Sequence, residues 1–363
     1  MTKHMDRRTF VTMMGGTVGS AFLAACSGGQ NGAAEQQDAS ADASGDAATE
    51  ETGIDYLALV NKTHALPDGW EDAVQIVSFK NTEDWDVDVE AKAYDAYLEL
   101  KEELEADGIY IDLDSAYRSV AAQQKIVDDF NEKYGEEYTK LHVAVPGYSE
   151  HHTGLALDLF LIIDGKGVYY NEDMVKYPEV WEKIHAKIAD HGFILRYLPG
   201  KKIETGYSYE PWHIRYLDNV DLARQIMSEG ITYERYLDAL DPVIADCEVD
   251  YGTSEIYVET DMDSALDPIL AEFSSWDGCV LKRLAYAGDE AVGAEELEYV
   301  NSLRAEGTEA FDQACVFVSD FHSPDAEKSK GTAWEPDTDY ANWEWHLGRT
   351  GADGTWELLT WGY

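Results

Sequence analysis

The chain has 363 residues, and 27 Lys and Arg against 72 Asp and Glu give it a formal net charge of −45. Apolar residues make up 45% and aromatics 12%, which suits two or three domains with a real hydrophobic core and excludes a wholly disordered chain. Such acidity argues against nucleic acid as a partner, since phosphate binding rests on Lys and Arg, and against attachment to anionic lipid through a basic patch. A strongly solvated surface accounts for the charge, which by itself names no substrate.

Residues 1–26 read as a targeting segment. Asp6-Arg7-Arg8-Thr9-Phe10-Val11 resembles a twin-arginine export signal, and the mildly apolar run 11–25 is too short to span a bilayer as a permanent helix. Leu23-Ala24-Ala25-Cys26 resembles a lipobox, where cleavage before Cys26 leaves a lipid-modified cysteine at the new N-terminus. Residues 27–53 hold no large apolar side chain and read as a disordered acidic tether, spanning on the order of 30 Å. The expectation is an exported protein, lipid-anchored on the outer face of the cytoplasmic membrane.

Two folded blocks follow, 54–245 and 249–363. In the first, Ala93, Tyr97, Leu100 and Leu104 share a helical face that Gly108 is placed to end. Residues 109–113 alternate like a strand, 121–134 read as a helix, 155–163 as an apolar strand interrupted by Asp158, and 179–191 as a helix stopped by Gly192. This order predicts an α+β fold, a small antiparallel sheet with flanking helices. In the second block, 279–286 and 315–321 read as strands, Trp343-Glu344-Trp345 alternates, and Asp353-Gly354 forms a hairpin turn before 356–361. That predicts a C-terminal α+β domain with a curved antiparallel sheet, whose role is not legible. Cys247, Cys279 and Cys315 could form one disulfide in an oxidising compartment and leave one thiol over; none has C-x-x-C spacing.

The chemistry begins at Asp158, flanked by apolar residues within 155–161. An unpaired buried carboxylate costs several kcal/mol, so the fold must supply backbone donors, a basic side chain or a metal. His151 lies seven residues upstream and could meet Asp158 if Gly154 lets the chain turn. Glu210-Pro211-Trp212-His213 offers a third ligand and an adjacent carboxylate. Two imidazoles and one carboxylate would leave a four-coordinate zinc one open position, whose water Glu210 could deprotonate. Arg118, between the 109–113 strand and a helix, could clamp a substrate carboxylate or simply pair with an acid. Among the other histidines, His64 reads as exposed and His142 as a cleft-wall residue. Helix packing or a helix C-terminus explains His185 and His191, and His322 and His346 lack partners at ligand spacing.

At this point the chain resembles the VanY-type D-alanyl-D-alanine carboxypeptidases, zinc peptidases that trim peptidoglycan stem peptides. Leu59-Val60-Asn61-Lys62 with Leu66-Pro67 is similar to the opening segment. Ser115-Ala116-Tyr117-Arg118-Ser119 with Gln123 matches S-G-Y-R-S-x-x-x-Q except at Ala116. Ser149-Glu150-His151-His152-Thr153-Gly154-Leu155-Ala156-Leu157-Asp158 matches S-x-H-x-x-G-x-A-x-D, with His152 in place of a frequent glutamine. Gly192-Phe193-Ile194-Leu195-Arg196-Tyr197, Thr205-Gly206-Tyr207 and Glu210-Pro211-Trp212-His213-Ile214-Arg215-Tyr216 complete it. The resemblance covers roughly half the chain. It implies one Zn2+ held by His151, Asp158 and His213, with Glu210 as catalytic base. It further implies that Arg118 binds the terminal carboxylate and that Ser115, Gln123 and Ser149 line the pocket. The implied activity is a D,D-carboxypeptidase acting on a peptidoglycan stem peptide. An L,D-carboxypeptidase or D,D-dipeptidase is the enzymatic alternative, and a non-catalytic wall-binding lipoprotein the alternative of another class.

Overall fold

The computed structural model describes residues 53–363 except 137, 138, 140–142, 306, 333 and 353. The export signal at Arg7-Arg8, the lipobox cysteine Cys26, the tether up to residue 52, His142 and Asp353 lie outside the described residues. A hairpin, β1 (Ile76–Lys80) with β2 (Asp86–Glu90), leads into helix α1 (Ala91–Ala106). The helix forms where the apolar spacing places it. Ala93, Tyr97, Leu100 and Leu104 are its buried face, and each buried leucine contributes about 1.5–3 kcal/mol. The Glu90 carboxylate caps it by accepting from the Ala93 N–H, and Gly108, at φ 76, follows its end.

The first five-stranded sheet comprises β3 (Ile111–Ser115), β4 (Ala156–Ile163), β5 (Lys166–Val168), β6 (Phe193–Leu195) and β7 (His213–Tyr216). Its order is β3-β4-β7-β6 with β5 on β4, antiparallel throughout. β3 starts two residues later than the alternation implies, because Tyr110 stays exposed after the turn at Gly108. Helix α2 (Val120–Tyr134) starts where Ser119 accepts from the Ala122 N–H, so Arg118 sits immediately outside its cap. Helix α3 (Pro178–Ile188) gives way to a 3₁₀ turn, Ala189–His191, closed by left-handed Gly192. Helix α4 (Val220–Glu229) packs its Leu222, Ala223 and Ile226 beside Ile194.

The second sheet runs β12 (Glu357–Gly362), β11 (Asp339–Arg349), β10 (Gln313–His322), β9 (Val280–Tyr286), β8 (Glu248–Asp250). It is antiparallel except for β8, which pairs parallel to β9 because helix α5 (Glu259–Phe273) forms a crossover between them. Helix α6 (Ala294–Ser302) carries Val300 against Phe311 and Ala314. Irregular registers at Ser319/Phe321 and His346/Leu347 are bulges that bend the strands. Met262, Ala265, Leu266, Ile269 and Phe273 of α5 pack on Leu281, Leu284, Phe317, Phe321 and Trp345. Cys247, Cys279 and Cys315 belong to the same core as buried free thiols, so no two of them pair. Asp55–Tyr363 forms one unit, and Ile203 from the first sheet's half joins the second sheet's core. No helix among the described residues is long and apolar enough to cross a membrane.

Candidate metal centre

Strand register brings the first two donors together: β4 on β7 sets Asp158 opposite His213, and β3 on β4 sets Ser115 opposite Asp158. His151 arrives on a single 3₁₀ turn, Glu150–Thr153, closed by Gly154 at φ 71. A Cβ at Gly154 would lie 3.2 Å from both the Cβ and the backbone N of Glu90, so glycine is needed for conformation and for space. One ligand atom from each of His151, Asp158 and His213 then lies within 4.8 Å of the others. His151 Nε2 is 3.3 Å from Asp158 Oδ2, and His213 Nδ1 is 3.1 Å from Asp158 Oδ1.

The outer nitrogen of each ring is engaged. His151 Nδ1 donates to the Ala116 carbonyl at 2.7 Å, which leaves the Nε2 lone pair facing Asp158. His213 Nε2 lies 3.2 Å from Glu150 Oε2, which turns Nδ1 inward. Glu150 was not among the residues singled out by sequence. It is fully buried and takes Arg196 Nε and Arg215 Nη1 on Oε1, each at 2.9 Å. Arg196 is in turn gripped by Glu234 at 2.8 and 2.6 Å, with Asn61 donating to Glu234 at 2.9 Å. Burial alone would raise the Glu150 carboxyl, yet Arg196 and Arg215, helped by His213, hold it well below the usual carboxylate range. Burial alone would lower His213, but the Asp158 and Glu150 carboxylates bring it up to about 9. Burial lowers His151.

This geometry fits a zinc ion. Two imidazole nitrogens and one carboxylate, one ligand atom of each within 4.8 Å of the others, are the donor types and number of a catalytic zinc site with an open fourth position. An acceptor behind each imidazole is the arrangement that fixes metal-ligating histidines.

Glu210 stands at the rim. Its Oε2 is 3.7 Å from His213 Nδ1, and its side chain is 31% exposed against 10% or less for the three ligands. The Glu210 N–H donates to the Tyr197 carbonyl, and Tyr197 lies between His213 and Tyr207, 4.7 Å from each ring. The Arg118 N–H donates to the His151 carbonyl and its Nη1 donates to Gln123 Oε1, both at 3.0 Å. Gln123 is buried and donates to the Ala144 carbonyl, so it stands behind Arg118 and aims it. Ala116 is not among the residues at positive φ, so alanine fits there without strain. Ser149 is buried at the start of the 3₁₀ turn, its carbonyl accepting from the His152 N–H.

The other histidines among the described residues lie apart from the three donors. His152 donates to the Arg118 carbonyl and accepts from the Gly147 N–H, which makes it a brace. His185 donates to the Pro211 carbonyl, His191 pairs with Glu103, His322 with Asp337 and Asp339, and His346 with Glu296; His64 is exposed.

Three buried donors, with a more exposed carboxylate and an arginine beside them, are the arrangement of an open hydrolytic site rather than of a closed structural metal site. The profile of the family VanY: D-alanyl-D-alanine carboxypeptidase matches residues 86–219. The chain is 33% identical over 190 residues to a D-alanyl-D-alanine carboxypeptidase of Enterococcus faecalis, covering 50% of this chain and 65% of that protein. It is 32% identical over 192 residues to the bifunctional D-Ala-D-Ala dipeptidase and D-Ala-D-Ala carboxypeptidase VanXYC of Enterococcus gallinarum, covering 52% and 96%. A Zn(II)-bound crystal structure of the vancomycin-resistance D,D-pentapeptidase VanY superposes with a TM-score of 0.42 at 30% identity, covering 50% of this chain and 98% of that one. The chain belongs to the VanY family of D-alanyl-D-alanine carboxypeptidases.

Proposed function

We propose that the chain is a zinc-dependent D,D-carboxypeptidase that removes the C-terminal D-alanine from peptidoglycan stem peptides, with one zinc per chain. The observation that carries this reading is the convergence of His151, Asp158 and His213 within 4.8 Å, with Glu210 at the rim. A bound zinc would supply a Lewis acid for the peptide carbonyl and would lower the pKa of a water to about 7. Glu210 takes the proton of the attacking water and passes it to the leaving amine. Arg118, aimed by Gln123, binds the substrate's terminal carboxylate and so selects free C-termini. Ser115, facing Asp158, and Ser149 line the same pocket. On so acidic a protein the substrate's carboxylate is drawn by local positive charge, the metal and Arg118. The enzyme is exported through residues 1–26, anchored by lipid at Cys26 on the outer face of the cytoplasmic membrane, and held off the surface by the 27–53 tether.

A second reading, dipeptidase activity on the same scaffold, is favoured by the bifunctional VanXYC relative. Incubating the zinc-loaded chain separately with pentapeptide, tetrapeptide and D-alanyl-D-alanine, and following released alanine by mass spectrometry, tests both. Release of one alanine from the pentapeptide is expected. Release from the tetrapeptide alone would assign L,D-specificity, and cleavage of the dipeptide alone would assign the second reading.

A further inference from the structure

The segment 198–210 joins β6 to β7 and ends in Glu210, and its outer side meets a helix beyond the family match. Glu259, Asp263 and Asp267 recur every four residues along α5 and therefore share one face of it. Each meets this segment. The Gly200 N–H donates to Glu259 Oε1 at 2.6 Å, and Lys202 Nζ is 2.9 Å from Asp267 Oδ2. Ser208, two residues before Glu210, hydrogen-bonds to the Asp263 carboxylate, which is 1% exposed and also takes the Tyr251 hydroxyl. Between them, Ile203 is packed into the core that α5 builds with the second sheet. The inner side of the segment carries Tyr207, its ring 4.7 Å from that of Tyr197, and then Glu210. The first half holds the segment through Glu204, which takes Thr232 Oγ1 at 2.6 Å and Arg235 Nη2 at 3.0 Å, and through the 3.3 Å contact from the Glu210 N–H to the Tyr197 carbonyl.

We infer that helix α5 of the C-terminal region clamps the 198–210 segment and so positions Glu210, making Glu259, Asp263 and Asp267 positioning residues of the active site. The inference rests on the proposed carboxypeptidase reading for its kinetic consequence, though not for the clamp itself. The metal ligands stand on the 3₁₀ turn, β4 and β7, fixed by strand pairing and by Glu150 behind His213, so loosening the clamp shifts the Glu210 side chain more than the metal site. A displacement of about 1 Å at a proton-transfer group is enough to cost up to about a hundredfold in rate.

The test uses the full chain, comparing wild type with Glu259→Gln/Asp263→Asn/Asp267→Asn and, separately, with Ser208→Ala, which leaves the helix untouched. Measured for each are kcat and KM on the pentapeptide, zinc affinity by chelator competition, and hydrogen exchange across 198–210. The triple variant should lose about ten- to a hundredfold in kcat with KM within about twofold. Its zinc affinity should hold while exchange rises in 198–210 but not in β4 or β7. Ser208→Ala should shift the same quantities in the same direction by less, and it decides the matter should the triple variant fail to fold. Unchanged kcat and unchanged exchange in 198–210 would overturn the clamp, as would a loss of kcat traced wholly to lost zinc. If wild type cleaves no stem peptide while exchange in 198–210 still responds, the carboxypeptidase reading fails and the clamp stands.

Discussion

A carboxylate set in the apolar run 155–161 has to be matched by partners strong enough to offset its desolvation, and two imidazoles meet Asp158 directly. Asp158 is legible in sequence as a polar interruption of an apolar run, and His151, seven residues upstream, and His213 stand out as metal-suited residue types, with Glu210 three residues before His213. Glu150 was not legible because its work is done on His213, sixty-three residues away, and only the fold brings Arg196 and Arg215 onto it. Its adjacency to His151 in a turn with no exposed side was the available signal. The His213 imidazole, at about 9 in the metal-free protein, carries a proton that zinc must displace. Metal affinity should therefore fall by up to about tenfold per pH unit as pH drops below about 9, with proton release on binding. His151, lowered by burial, adds no such demand near neutrality. Chelator competition at several pH values checks this, and affinity independent of pH would contradict it. Arg118→Ala should lower kcat/KM on a free-acid stem peptide about 10- to 100-fold, the worth of a charged hydrogen-bond pair. A C-terminally amidated peptide should discriminate little between variant and wild type.

At the scale of elements, α1 and α2 were readable because apolar spacing, caps and stop signals agree. β4 was readable as a run of large apolar residues, beginning one residue after the expected start. Two kinds of element escaped. The β1–β2 hairpin did so although Asp86-Val87-Asp88-Val89 alternates, with both valines buried, because its strands are only five residues each and β1 is only partly buried. Helix α5 contains Pro268, which argues against a helix locally; acids in its first turn and packing of Met262, Leu266, Ile269 and Phe273 override it. The 3₁₀ turn carrying His151 depends on one residue. Gly154→Ala puts a side chain at φ 71 and 3.2 Å from Glu90, which should cost about 1–3 kcal/mol and weaken zinc binding. Thermal unfolding with and without zinc measures both, and a variant as stable and as tightly metal-binding as wild type would remove the turn from the account.

Across the whole molecule, the sequence divides into blocks at about 245–249, whereas Asp55–Tyr363 forms one unit whose second core takes in Ile203 of the first half. That packing was invisible in sequence because Lys201-Lys202-Ile203-Glu204 reads as a polar surface segment. The three acids that meet it sit within a background of 72 acidic residues. The anchoring proposal has its own check: fatty-acid labelling of the expressed chain should be lost in Cys26→Ala, and persistence of the label would refute lipidation at that residue. The central claim is that His151, Asp158 and His213 hold a catalytic zinc on which Glu210 acts. The most direct measurement pairs zinc stoichiometry with alanine release from the pentapeptide for wild type and Glu210→Gln. One zinc in both proteins, chelator-sensitive release by wild type, and turnover reduced at least about a hundredfold in the variant are expected. Zinc bound by both with equal turnover would contradict the claim.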